Sequence, residues 1–146
     1  MATDLFHETD VSAWPMVVVK LNRAPHNSEE LHQFEEDFLA MLRVARDGFG
    51  DVASTSLTLL FFLDGLIDAN FEHQLSSIGF VKRVQQEAPD TVKVTALIAS
   101  NDLVVQLLDC VLAAVPLHSV NRVFGNEHEA RAWLQRETQA LGLLPV

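Results

Sequence analysis

Asp64 and Asp68 follow directly on the apolar run Leu57 to Leu63, and Ser100 and Asn101 follow the next apolar run, Thr91 to Ala99. Two carboxylates held near one strand end raise each other's proton affinity, the arrangement that acid/base chemistry uses. A hydroxyl at a helix start, as Ser100 offers, would place a phosphate in favourable dipole geometry. Neither group has a nucleophile or a basic partner beside it in the sequence. Simpler roles account for them: Asp64 ends a strand, Asp68 and Asn70 cap one helix, and Ser100, Asn101 or Asp102 caps another. No catalytic residue is assigned, and an enzyme is not expected.

Other chemistry is thinner still. The six histidines, at positions 7, 26, 32, 73, 118 and 128, include no pair at the i, i+4 spacing of a helical metal site. Neither Gly48 nor Gly125 opens the glycine-rich strand-to-helix turn that cradles phosphates. No metal and no cofactor are therefore expected. The single cysteine, Cys110, lies in the apolar run Leu107 to Val115, which excludes an internal disulfide and reads as a buried, inert thiol.

Composition narrows the partners. Twenty acidic against ten basic residues give a net charge of −10, which disfavours nucleic acid and anionic membrane, since both are bound through Lys and Arg. Glu29, Glu30, Glu35, Glu36 and Asp37 read as a solvated acidic face of the first helix, able to meet a basic protein surface. The opening MATDLFHETDVSAW lacks the basic and apolar regions of a secretory signal, and no apolar run reaches membrane-spanning length. The expectation is a cytoplasmic protein.

These groups need a scaffold, and the pattern alternates strand and helix. Met16 to Leu21 is a Val-rich run fitting a buried strand. Ser28 is expected to cap a helix with Leu31, Phe34, Phe38, Leu42 and Ala45 on its inner stripe, ended by Gly48 and Gly50. LTLLFFL has the continuous hydrophobicity of a central strand covered on both faces. Asp64 to Asn70 forms a turn, and a second helix carries Phe71, Leu75, Ile78, Val81 and Val84 or Phe80 on its buried side before Pro89. Thr91 to Ala99 is a third strand, and LVVQLLDCVLAAV is a third helix expected to be heavily buried. Ser119 to Phe124 is the fourth strand. Asn126 and Glu129 have capping-box spacing, and Ala130, Trp133, Leu134 and Leu141 mark the inner stripe of the last helix. Residues 1–15 offer a short edge strand at most. The fold class is α/β: four βα units in one domain with its core at about 16–135, building a mostly parallel sheet with helices on its faces. Partners of such sheets meet the loops at the carboxyl ends of the strands.

Three segments, MVVVKLNRAPHNSEELHQFEEDFLAML, LTLLFFLDGLIDANFEHQL and VNRVFGNEHEARAWL, resemble in order and spacing the STAS domain family, the anti-sigma-factor-antagonist fold, and its looser Sec14-type relatives. The resemblance implies a regulatory or scaffold module that binds another protein, with a homodimer among the allowed forms. In that family an Asp-Ser pair opens the second helix and the serine accepts phosphate. Here Asp64 and Asp68 match the aspartates, while Ala69 stands in the serine's place and has no hydroxyl. Ser76 and Ser77 lie too far inside the helix to replace it. The implied rim for a partner or ligand is Asp64, Asp68, Asn70, Ser100 and Asn101. The Sec14-type relatives imply the alternative, a lipid-associated module, which an apolar cavity would favour.

Overall fold

The computed structural model describes residues 6–23, 25–47, 56–66, 71–88, 90–114 and 119–140. Its five strands are β1 His7–Asp10, β2 Met16–Leu21, β3 Leu57–Phe62, β4 Val92–Ile98 and β5 Val120–Phe124. Its four helices are α1 Ser28–Asp47, α2 Phe71–Glu87, α3 Asp102–Ala114 and α4 Glu127–Ala140. The fold is α/β, with one sheet whose strands lie in chain order, β1-β2-β3-β4-β5. β2 to β5 run parallel, and β1 pairs antiparallel with β2 from His7 against Leu21 to Asp10 against Val18. The polar β1 sequence HETD suits an edge, where an apolar strand would invite further pairing.

Successive side chains on a strand point to opposite faces, and here both faces are apolar. Val17, Val19, Leu57 and Leu59 pack with Phe34, Phe38, Leu39 and Leu42 of α1. Val18, Leu60, Ala96 and Ile98 pack with Ala130, Trp133 and Leu134 of α4. On the α1 side, Leu97 and Ala99 pack with Val104 and Leu108 of α3. Parallel strands joined in unbroken order by right-handed crossovers put α1, α2 and α3 on one face, which leaves α4 to cover the other. The crevice of a doubly wound sheet opens where strand order reverses. Among the described strands it never reverses.

Local chemistry sets the helix starts. Asn126 Oδ1 accepts the Glu129 amide at 2.9 Å and caps α4, at the position its spacing predicted. Asn101 Oδ1 accepts the amides of Leu103 and Val104 and caps α3. At α1 the cap is Asn27 rather than Ser28: Asn27 Oδ1 accepts the Glu30 amide at 2.8 Å. The carboxamide one residue earlier reaches the third amide of the helix, which leaves Ser28 as its first residue.

Helix α3 departs from the heavily buried element expected of its run. Val104 and Val111 are buried, but Leu103 is 69% exposed and Cys110 is exposed. A helix at the flank of a sheet buries one stripe, and the 103 and 110 positions fall on the other. Cys110 is thus a surface thiol, not a core one.

Candidate functional site

The strand-end rim joins three of the residues singled out in the sequence. Asp64 opens a single 3-10 turn, Asp64–Leu66, at the end of β3. Its Oδ1 accepts the Ser100 amide at 2.6 Å and the Asn101 amide at 3.4 Å. The carboxylate thus holds the two amides that immediately precede α3, while Asn101 caps the first turn of the helix itself. Asp64, Ser100 and Asn101 form a latch between the end of β3 and the loop after β4. Asp68, Ala69 and Asn70 lie outside the described residues, as do Gly48, Gly50 and Leu141; Ser76 and Ser77 lie within α2, their side chains undescribed. No cluster of metal-ligating side chains occurs among the described residues.

The larger feature lies beneath the three-helix face. α4 sits close against β4, helped by Ala130, whereas α1, α2 and α3 are held further from the strands by bulky side chains. Phe80, Val81, Val84 and Gln85 of α2 are only half-buried. Between α2 and the sheet remains a partly open cavity of about 190 Å³. Leu59, Phe61 and Leu97 form its floor, Phe34 and Phe38 one wall, Leu108 and Leu112 the other, and Phe80 and Val84 the roof. An engineered apolar cavity of about 150 Å³ stays dry and takes up benzene, so this space is large enough for a single-ring or short-chain ligand.

The roof is fastened to α1 by ions. Arg83 Nη2 donates to Glu36 at 2.8 Å, Arg43 makes a two-point contact with the Glu87 carboxylate at 2.8 Å, and Arg46 donates to the Glu87 carbonyl. The pairs follow one order along both helices, as side-by-side crossover helices require. The guanidinium hydrogen bonds hold the Glu36 and Glu87 carboxyls below their usual range.

One acid breaks the apolar lining. Glu35 is 9% exposed, and it is the one charged side chain lining the cavity among the described residues. Expected on the solvated face of α1, it instead lies inside. The reason is helical geometry: Leu31 and Leu39 lie one turn to either side, so Glu35 belongs to the apolar stripe. That spacing was the available signal, and the acidic run around it concealed the exception. Burial pushes the Glu35 carboxyl up, against the opposing charges of Arg83 and His32. Arg83 gives its hydrogen bond to Glu36, and among the described residues Glu35 accepts no hydrogen bond and joins no ion pair. Its contribution to stability is therefore best below the ordinary carboxyl value and is lost as pH rises through the raised one.

Glu30 behaves oppositely. It is not a free surface acid either: Arg23 contacts both its oxygens at 2.6 and 2.7 Å, and the His26 amide donates to it at 2.8 Å. The Arg23 bond draws its carboxyl from 4.5 to about 2. This clamp shapes the β2–α1 loop, whose Pro25 lines the cavity. Stability from Glu30 is complete above its ordinary value of 4.5 and is lost as pH falls through about 2. In acid titration followed by thermal midpoint, the wild type should lose stability more steeply over that window than Glu30→Gln. Parallel curves would remove the clamp from the account.

No protein-family model, curated protein or solved structure matches the chain.

Proposed function

We propose that this protein is a non-enzymatic binding module that takes a small apolar ligand between α2 and the sheet. The observation that carries the reading is the cavity of about 190 Å³ whose walls are mostly aliphatic and phenyl, with Glu35, Gln85, Thr95, Ser119 and Asn121 as the polar exceptions. Filling such a space with apolar surface is favourable by roughly 25 cal/mol per Å² removed from water. The Sec14-type side of the sequence resemblance supports the same reading. If the STAS resemblance holds in function, Ala69 leaves ligand occupancy, rather than a phosphate on that position, to set the regulatory state.

The test is thermal unfolding with toluene or indole at increasing concentration. A saturable rise in midpoint is expected, equivalent to about 2.7 kcal/mol at a hundredfold excess over Kd. Leu108→Trp, which fills the cavity from α3, should abolish the rise while leaving the unliganded protein folded. No rise in the wild type sinks the reading.

A second reading, docking of another protein at the strand-end rim, rests on Leu103, 69% exposed beside the Asp64 latch. Cross-linking from position 103 to a stoichiometric partner supports it, and loss of that partner in Leu103→Glu tests it.

A further inference from the structure

We propose that the cavity's occupant is a small amphiphilic amine, its protonated nitrogen against Glu35 and its apolar body among Phe34, Phe38 and Phe80. The inference rests on the ligand-binding reading above and names the chemistry of the ligand.

Glu35 carries the argument. Glu35 is the one charged side chain lining the cavity among the described residues, and a carboxylate beside an apolar wall gains more from a cation than one in open water does. The nearby guanidinium of Arg83 is engaged by Glu36 at 2.8 Å. The Glu35 carboxylate is thus available to a cation in the cavity, and a ligand ammonium supplies one with charge-assisted hydrogen bonds. A ligand amine arriving neutral at a protonated Glu35 reaches the same ion pair by transfer of one proton from the carboxyl to the nitrogen.

The lining fits the rest of such a molecule. The rings of Phe34 and Phe80 have centroids 5.8 Å apart, and those of Phe38 and Phe80 are 5.4 Å apart. They offer phenyl faces and edges to an apolar body, and a face turned toward the ammonium adds a cation–π contribution.

Other ligand classes fit less well. A neutral hydrocarbon fills the space but makes no use of the Glu35 carboxylate. A fatty acid or a phosphate ester brings a second negative charge to the carboxyl, and the chain's net charge of −10 opposes its approach. The same net charge concentrates cations around the protein.

Calorimetric titration with three probes of one skeleton decides the matter: 2-phenylethylamine, 2-phenylethanol and 3-phenylpropionate. In the wild type the amine is expected to bind at least about tenfold more tightly than the alcohol, and the carboxylate weakest of the three. Glu35→Gln, nearly identical in shape, should lose the amine preference and bind the alcohol at least as well as before. Equal binding of amine and alcohol by the wild type overturns the amine assignment and leaves the cavity reading standing. So does an amine preference that survives Glu35→Gln. Failure of all three probes to bind overturns both, and the comparison within the wild type holds even if the variant does not fold.

Discussion

Trp133→Ala is expected to destabilise the protein by about 3–5 kcal/mol, the range for truncating a large buried aromatic side chain. Trp133 is buried in the cluster formed by α4 and the second face of the sheet, with its ring 5.4 Å from that of Phe124. Among the described helices, α4 alone covers that face. Loss of the indole opens a void between α4 and β4 that Ala130, already in close contact, is too small to fill. A domain of this kind has roughly 5–15 kcal/mol of total stability, so the variant retains a fraction of it. Urea unfolding should show a much lower midpoint with a similar slope. A loss below about 1 kcal/mol would mean that Trp133 does not anchor α4 as described.

Gly65→Ala should cost at least about 3 kcal/mol, at or beyond the upper end for over-packing. A methyl group on Gly65 would lie 2.3 Å from the Leu21 carbonyl oxygen and 2.3 Å from the Asn22 carbonyl carbon. Both are backbone atoms, which cannot swing aside as a side chain would. The turn after β3 and the end of β2 must therefore separate. Asp64, one residue earlier, would be drawn from the Ser100 amide, so the damage extends to the start of α3. Amide exchange is the sharper measurement. Ser100 should lose protection in the variant more than amides in the middle of β4; uniform change would indicate global weakening without displacement of the latch.

Strands and helices were legible because their signals are local and repeated. MVVVKL and LTLLFFL read as buried strands from continuous hydrophobicity alone, and both lie inside the sheet as β2 and β3. The β1 edge strand was anticipated only as a short one, which four polar-rich residues bear out. The Asn126 cap was found because cap and acceptor position are fixed by spacing. Errors arose where a residue's setting depends on distant elements. Cys110 sits in an apolar run, and only the position of α3 at the sheet's flank exposes it. Glu35 sits in an acidic run, and only the helices above the sheet enclose it. The candidate cavity was illegible for the same reason. It is the space left between elements, and sequence patterns report the elements.

The unbroken strand order has a consequence for how the chain assembles during synthesis. Each parallel strand needs only the segment made just before it, so β2, β3, β4 and β5 can add one after another with no strand awaiting a late insertion. The exception is α4. It follows β5, and until it is made the face bearing Val18, Leu60, Ala96 and Ile98 is bare hydrocarbon. The nascent sheet therefore passes through a stage with one face sealed and one open, the kind of surface on which chaperones act and aggregation starts.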